Sequence, residues 1–304
     1  MRNALIPVVL LVTSKAPKGP MTTAALDIRE IKIAHSPDSD DAFMFYGLAT
    51  NKVRVPGYKF THTLTDIEAL NHRAMSDQYY DVTAISFHAY PYIQENYTLM
   101  ACGGSVGDNY GPMIVAAKNY TLDEVKKLRI AVPGTLTTAY LTLKLFAPEI
   151  ETVTVDFDKI IPAVVSGEFD AGLIIHEGQL TYGRDGLTKI LDLGVWWNEQ
   201  TGLPLPLGGN AIRRSLGHKV QLVTTNALRE SIQHALDHRE AALEYAMQFA
   251  RDLDTSMANR FVGMYVNERT LNYGDDGRLA IRKILDMGFE RGIIPYKANV
   301  DFVG

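Results

Sequence analysis

The chain reads as an α/β protein in which short strands alternate with amphipathic helices and pack as largely parallel sheets covered on both faces. Three observations carry this. From residue 31 to residue 175, apolar β-branched runs recur between stretches with helical spacing. A segment ending in Ile85-Ser86 is echoed by one ending in Ile175-His176. Each has a helix end, an aromatic-Asp turn (Tyr80-Asp81 and Phe169-Asp170) and then an apolar strand. After Arg213 the strands give way to long helical stretches. Two similar lobes facing each other would point both echoed strand ends into one cleft.

Taken in order, residues 31–34 form a strand and 40–50 a helix. Residues 59–64 form a strand, and helix 66–75 begins at an Asp N-cap. Strands at 82–86, 113–117, 129–132, 153–157 and 172–175 continue the series, with helices at 137–146 and 159–165. Beyond 213 come helices at 225–250, 256–271 and 277–291, with Gly274, Gly277 and Gly292 as punctuation. In the last of these, Leu279-Ala280-Ile281, Ile284-Leu285 and Met287-Gly288-Phe289 repeat at the spacing of a helix packed on a core. Gly111-Pro112 and Leu207-Gly208 are the expected crossings between lobes. One lobe then takes residues 27–118 plus 214–304 and the other 119–213. Residues 1–26 read as an N-terminal arm or the overhang of a start at Met21. Residues 1–16, with their apolar stretch at 4–12, also have the outline of a weak secretory signal.

Composition narrows the function. Across 304 residues, 30 Lys+Arg stand against 35 Asp+Glu, a net charge of -5 with no basic footprint for nucleic acid. Cys102 is the single cysteine, which excludes an intramolecular disulfide and a cysteine-based metal cage. No apolar run reaches the roughly 18 residues of a membrane span.

The stretch Ala171-Gly172-Leu173-Ile174-Ile175-His176-Glu177-Gly178 holds the main chemical signal. A buried strand here delivers one titratable side chain to the carboxyl end of a sheet, where open α/β folds bind ligands. A histidine there can move a proton near neutral pH, or simply cap the strand. Pro133-Gly134-Thr135-Leu136-Thr137-Thr138-Ala139 forms a strand–turn–helix junction. Its free N–H groups and helix dipole suit a carboxylate, with the Thr137 and Thr138 hydroxyls as added donors, although Thr135 or Thr137 is also an ordinary N-cap. The oxygen-rich loop His35-Ser36-Pro37-Asp38-Ser39-Asp40-Asp41 lacks the Gly and distal Glu of a calcium loop. It reads as helix capping plus a cleft lining, not as a metal site. No Gly-Lys-Ser/Thr loop and no dinucleotide Gly-x-Gly-x-x-Gly is present. Trp196-Trp197 and the aromatic residues at 87–92 suit either an apolar cleft or core packing. His62, His72 and His88 read as structural or exposed.

Taken together, several of these motifs resemble a known family. They are Ser36-Pro37…Asp41-x-Phe43-x-Phe45-Tyr46, Gly111-Pro112, Val132-Pro133-Gly134…Thr137-Thr138-Ala139 and Ile174-Ile175-His176-Glu177. Asp192-Leu193-Gly194-x-Trp196-Trp197 and Gly202-Leu203-Pro204-Leu205-Pro206-Leu207-Gly208 complete the set. In this order they are similar to the 1,4-dihydroxy-6-naphthoate synthase family of the futalosine route to menaquinone, from about residue 31 to the C-terminus. The resemblance implies a two-lobed type II periplasmic-binding-protein fold with a ligand cleft. It implies a cytoplasmic carbon–carbon lyase acting on cyclic dehypoxanthine futalosine, a small-molecule carboxylate, with no metal or organic cofactor. It puts the catalytic base at His176 and ligand contacts at Ala84, Ile85 and Ser86 and at Thr137, Thr138 and Ala139. The base would act as a neutral imidazole held by a second group.

The chain departs from the family pattern in places. Ala84 stands where relatives carry lysine, Asp40 where they carry Asn, and His35 where they carry an apolar residue. Asp38-Ser39 replaces a Cys-Pro type sequence. Two other readings use the same fold: a solute-binding protein for a small carboxylate, and the sister enzyme chorismate dehydratase. The Ile-Ile-His-Glu and Leu-Pro-Leu-Pro-Leu-Gly motifs favour the synthase.

Overall fold

The computed structural model describes residues 28–76, 79–250 and 253–304. The expected N-terminal arm, the Met21 start and the signal-like stretch lie outside these residues. Among the described residues two sheets form. The larger contains β1 (Arg29–His35), β2 (Tyr58–Leu64), β3 (Val82–Ser86), β4 (Tyr97–Met100) and β5 (Ser105–Gly107). The smaller contains β6 (Met113–Ala116), β7 (Arg129–Val132), β8 (Glu151–Thr154), β9 (Ala171–Ile174) and β10 (Thr188–Asp192), in the order β10-β6-β9-β7-β8. The chain then returns through β11 (Leu205–Arg213) to the larger sheet, which β12 (Phe302–Val303) completes. Its order is β12-β4-β11-β3-β1-β2, with β5 also on β11.

The strand–helix alternation produces parallel pairs where it was expected, β1 with β2 and β3, and β7 with β8 and β9. The sheets are nevertheless mixed. The strands adjoining the crossings, β6 and β11, run antiparallel to their neighbours. A chain that enters and leaves a lobe between βαβ units runs against their direction, so a purely parallel sheet does not arise. Sheet membership also moves the lobe boundaries. β6 belongs to the smaller sheet and β11 to the larger, so the chain changes sheet after Gly107 and again after Asp192. The expected boundaries at 118/119 and 213/214 are therefore late. Gly111-Pro112 lies in the first connection, whereas Leu207-Gly208 lies within β11.

The sequence echo has a common hydrogen-bonding basis. Asp81 Oδ2 accepts the Lys32 N–H of β1 at 3.0 Å, and Asp170 Oδ2 accepts the Arg129 N–H of β7 at 3.1 Å. In each lobe the turn aspartate thus ties the incoming strand to its parallel neighbour. Gly172 completes the unit in the smaller lobe, since a Cβ there would stand 2.5 Å from Ile160 Cγ2 on the helix covering β9.

Helix Ser39–Ala49 is buried from Ala42 to Leu48 without a break. It packs against helices His218–Asp237, Arg239–Ala246 and Thr255–Tyr265, which explains why it is apolar on almost every side. Two expected helices are each divided, 225–250 at His238 and 256–271 at Val266-Asn267. The second break holds a capping box, in which Asn267 and Thr270 satisfy each other's backbone. Helix Gly274–Glu290 buries Gly277, Ala280, Ile281, Ile284, Leu285 and Gly288, one stripe at helical spacing. No helix among the described residues is long and apolar enough to cross a membrane.

Candidate active site

The cleft between the lobes holds a cavity of about 120 Å³. Ala84, Ile85, Ser86, Thr137, Thr138, Ala139 and His176 all line it. Strand β3 brings Ala84–Ser86 up from the larger lobe as three successive buried residues. The turn after β7 opens helix Thr138–Phe146 from the smaller lobe, and the turn after β9 delivers His176.

The threonines are not idle donors. Thr137 is the N-cap: its hydroxyl accepts the Tyr140 N–H at 3.1 Å and donates to Gly134 O at 2.9 Å. Thr138 Oγ1 donates to Leu207 O of β11 at 2.5 Å and accepts the His88 N–H at 3.2 Å. Both hydroxyls are therefore committed to the cap and to a strap across the cleft. What the helix start still offers is its backbone N–H groups at Thr138 and Ala139, which precede the first intrahelical donor, the Leu141 N–H on Thr137 O. Opposite them, Ser86 accepts from Asn71 Nδ2 at 3.2 Å, leaving its own O–H to donate.

His176 stands in a different environment. Its φ of 59° is left-handed, which a non-glycine residue adopts only where its surroundings hold it. Nδ1 lies 3.0 Å from Asp38 Oδ2, and the Phe157 ring packs edge-on at 4.9 Å. Burial pushes the ring's pKa down, but the charge and hydrogen bond of Asp38, helped by Glu177 and Asp40, outweigh it and hold the ring up at about 9. The carboxyls pay the converse penalty of crowding. Burial and the neighbouring Asp41, Asp38 and Glu177 hold Asp40 well above its usual range, and burial raises Asp41 to about 6. Glu177 is raised by burial and by Asp38, and its Oε1 accepts the Ser39 hydroxyl across the cleft at 3.2 Å.

Several residues at the site carried no chemical signal in the sequence. Gln179 Oε1 accepts the Tyr265 hydroxyl at 2.7 Å, joining the lobes beneath the cleft, and both residues line it. Asn210 on β11 donates from Nδ2 to Gly103 O at 2.8 Å, while its buried Oδ1 has no partner among the described residues. Phe261 and Tyr265, one turn apart on helix Thr255–Tyr265, also line the cleft. The loop 36–41 lines the cleft as expected, but Asp38 occupies the N-cap position without a side-chain cap bond, its carboxylate being turned to His176. No group of three or more His, Cys, Asp or Glu among the described residues has metal-holding geometry.

The remaining candidates serve structure. His35 stacks on Phe45 at 4.3 Å and bonds Ser36 O through Nδ1 and His62 Nδ1 through Nε2. Burial, and then the neighbouring His62, depress its pKa to about 3. His88 bonds Thr137 O through Nδ1 and is lowered by burial to about 4, while His72 sits exposed beside Glu68. Trp197 is fully buried with its N–H on Pro204 O at 3.0 Å. Phe87 and Tyr90 are core residues, so neither aromatic group lines the cleft.

Comparison with known proteins places this geometry. Residues 31–290 match the family model described as "Menaquinone biosynthesis". The 1,4-dihydroxy-6-naphthoate synthase of Thermus thermophilus is 38% identical over 263 residues, covering 86% of this chain and 95% of that protein. The synthase of Streptomyces coelicolor is 37% identical, covering 87% and 95%. A crystal structure of an Archaeoglobus fulgidus protein superposes with a TM-score of 0.84 at 47% identity, over 87% of this chain and 98% of that one. An alkanesulfonate-binding protein from Xanthomonas axonopodis superposes with a TM-score of 0.67 at 14% identity, over 89% and 96%, a likeness of fold alone. The fold is that of the periplasmic binding proteins, and the chain belongs to the menaquinone-biosynthesis family, together with the 1,4-dihydroxy-6-naphthoate synthases.

Proposed function

We propose that this chain is a carbon–carbon lyase that converts cyclic dehypoxanthine futalosine to 1,4-dihydroxy-6-naphthoate, with His176 as the general base. The observation that supports it most is the convergence of a strained, carboxylate-held histidine and a helix start within one cleft, in a chain of this family. Removing a proton next to a carbonyl sends electrons into C–C cleavage, and the product gains aromaticity. One positioned base and donors for the developing oxyanion suffice for this.

The substrate carboxylate would lie at the start of helix Thr138–Phe146, on the Thr138 and Ala139 N–H groups, with the Ser86 hydroxyl opposite. Ala84 and Ile85 would form the floor beside it. The cross-cleft bonds of Thr138, Glu177 and Gln179 belong to a closed state that excludes water from the reacting atoms. A soluble biosynthetic step of this kind fits the cytoplasm.

The test is direct. The purified protein is incubated with cyclic dehypoxanthine futalosine and, separately, with chorismate, and products are read by mass spectrometry. Release of 1,4-dihydroxy-6-naphthoate from the first is expected. Dehydration of chorismate, or binding of either compound without turnover, would replace this reading with one of its alternatives.

A further inference from the structure

We propose that Asp38 is the positioning residue for His176, holding the ring through Nδ1–H so that Nε2 carries the lone pair that takes the substrate proton. This rests on the reading of His176 as the base and adds the group that orients it.

The local geometry of Asp38 departs from its ordinary use. It sits at the N-cap of helix Ser39–Ala49 with an extended backbone, φ −104° and ψ 157°. An aspartate there normally accepts an N–H from the first helical turn. This one has no such bond. Its Oδ2 instead faces Nδ1 of His176 at 3.0 Å and accepts the Ser36 hydroxyl at 2.7 Å. Ser36 is itself fixed, since its backbone N–H donates to Asp41 Oδ2 at 2.8 Å. The carboxylate is thus anchored from the larger lobe and reaches a residue carried by the smaller one. The contact therefore forms in the closed arrangement, where the cleft is complete.

A carboxylate is an acceptor only, so the ring nitrogen facing it carries a proton in either charge state. The neutral ring then has its lone pair on Nε2, which fixes the tautomer. Four carboxyls face the ring: Asp38, Asp40 and Asp41 from the loop and helix start, and the adjacent Glu177. Phe157 closes its apolar side. Burial favours the neutral ring, yet the carboxylates win and hold it near 9. At pH 7 about one ring in a hundred would then be neutral in the empty cleft. The compensation is a stronger base for a weakly acidic carbon.

That trade gives the variant Asp38→Asn a distinctive signature. Removing the charge lowers the ring's pKa, so the rising limb of kcat/KM against pH should move from near 9 to below 7. The amide also admits the wrong tautomer, so turnover at pH 9 should fall by about 10²-fold or more. The deficit should shrink towards pH 6, where the wild-type ring is burdened by its proton, and KM should change little. A merely structural role would lower activity evenly across pH. If Asp38→Asn keeps the wild-type limb and the wild-type rate at pH 9 while His176→Asn is inactive, the role of Asp38 is overturned and the base reading stands. If His176→Asn turns over normally, it is the base reading that fails.

Nitrogen-15 NMR of the histidines in the wild-type protein tests the same point without a destabilising change. The His176 ring should titrate above 6.5 and, once neutral, keep its proton on Nδ1. A neutral ring protonated at Nε2 overturns the proposal.

Discussion

Strand β9 ends at Ile174 and hands the chain to a left-handed histidine among carboxyls, whereas β3 ends at Ser86 and passes into the 3-10 turn Phe87–Ala89. Both strands follow the same aromatic-Asp turn, and both turn aspartates bind a neighbouring strand N–H. Their ends differ in charge and in strain. Ser86 is held by neutral bonds to Asn71, through its N–H at 2.9 Å and its oxygen at 3.2 Å. His176 is held by a charged bond to the other lobe. A duplicated supersecondary unit can therefore supply two unlike halves of a site, one that places a ligand and one that moves a proton.

The sharpest way to break this comparison is His176→Asn. Turnover should fall by roughly 10²–10⁴-fold, the usual worth of one acid–base group, while product affinity stays close to wild type. In the wild type, activity should rise with pH towards about 9, because the base must be neutral and its folded pKa is raised. The same shift has a consequence for stability. The histidine–aspartate pair contributes stability that is fully present below the unfolded value of about 6.5 and lost as pH rises through 9. Thermal unfolding of wild type and His176→Asn should therefore converge at alkaline pH. A stability gap that persists unchanged above pH 9 would show that the ion pair is not what the variant removes.

Ligand placement is tested next at the helix start, which the smaller lobe carries beside His176. Thr137→Val with Thr138→Val removes the cap bond to Tyr140 and the strap to Leu207. The N–H groups then lose their fixed position and the closed state its latch. Product binding should weaken by about 2–4 kcal/mol, with about 1 kcal/mol of stability lost through the cap. Calorimetry reads the first and thermal unfolding the second. Lower stability with unchanged product affinity would make the two threonines purely structural.

How far the sequence disclosed this follows from what each signal depends on. The β1-to-β3 and β7-to-β9 units were legible because parallel strands buried on both faces leave uninterrupted apolar runs. His176 was legible because it ends such a run. β4, β5, β10, β11 and β12 were missed. Their sequences, such as Ser105-Val106-Gly107 and Leu205-Pro206-Leu207-Gly208, are short or broken by Gly and Pro, and only tertiary pairing makes them strands. The partner of His176 was out of reach for a different reason. Asp38 and His176 are far apart in sequence, and an Asp before a helix has the pattern of a cap. Nothing local says that its carboxylate is turned across the cleft. Trp197 misled in the other direction, since a Trp pair suits a cleft wall as well as a core.

The smallest expected effect sharpens the contrast most. Ser86→Ala deletes one neutral hydroxyl at the end of β3 and leaves the strand, its register and the acidic shell around His176 untouched. Asn71 loses one acceptor but keeps Ser86 N–H on its Oδ1 and stays within reach of Leu136 O at 3.5 Å. Stability should therefore change little. If the hydroxyl donates to the bound carboxylate, product affinity should drop by about 1.5–3 kcal/mol, the worth of a hydrogen bond to a charged group. If it donates to a neutral oxygen, the drop should be about 0.5–1.5 kcal/mol. In both cases the pH limb of kcat/KM should stay where wild type has it, because Ser86 lies on the half of the cleft that places the ligand. A limb that moves in Ser86→Ala would mean that the two strand ends are coupled through the bound substrate, and the division of labour between them would have to be abandoned.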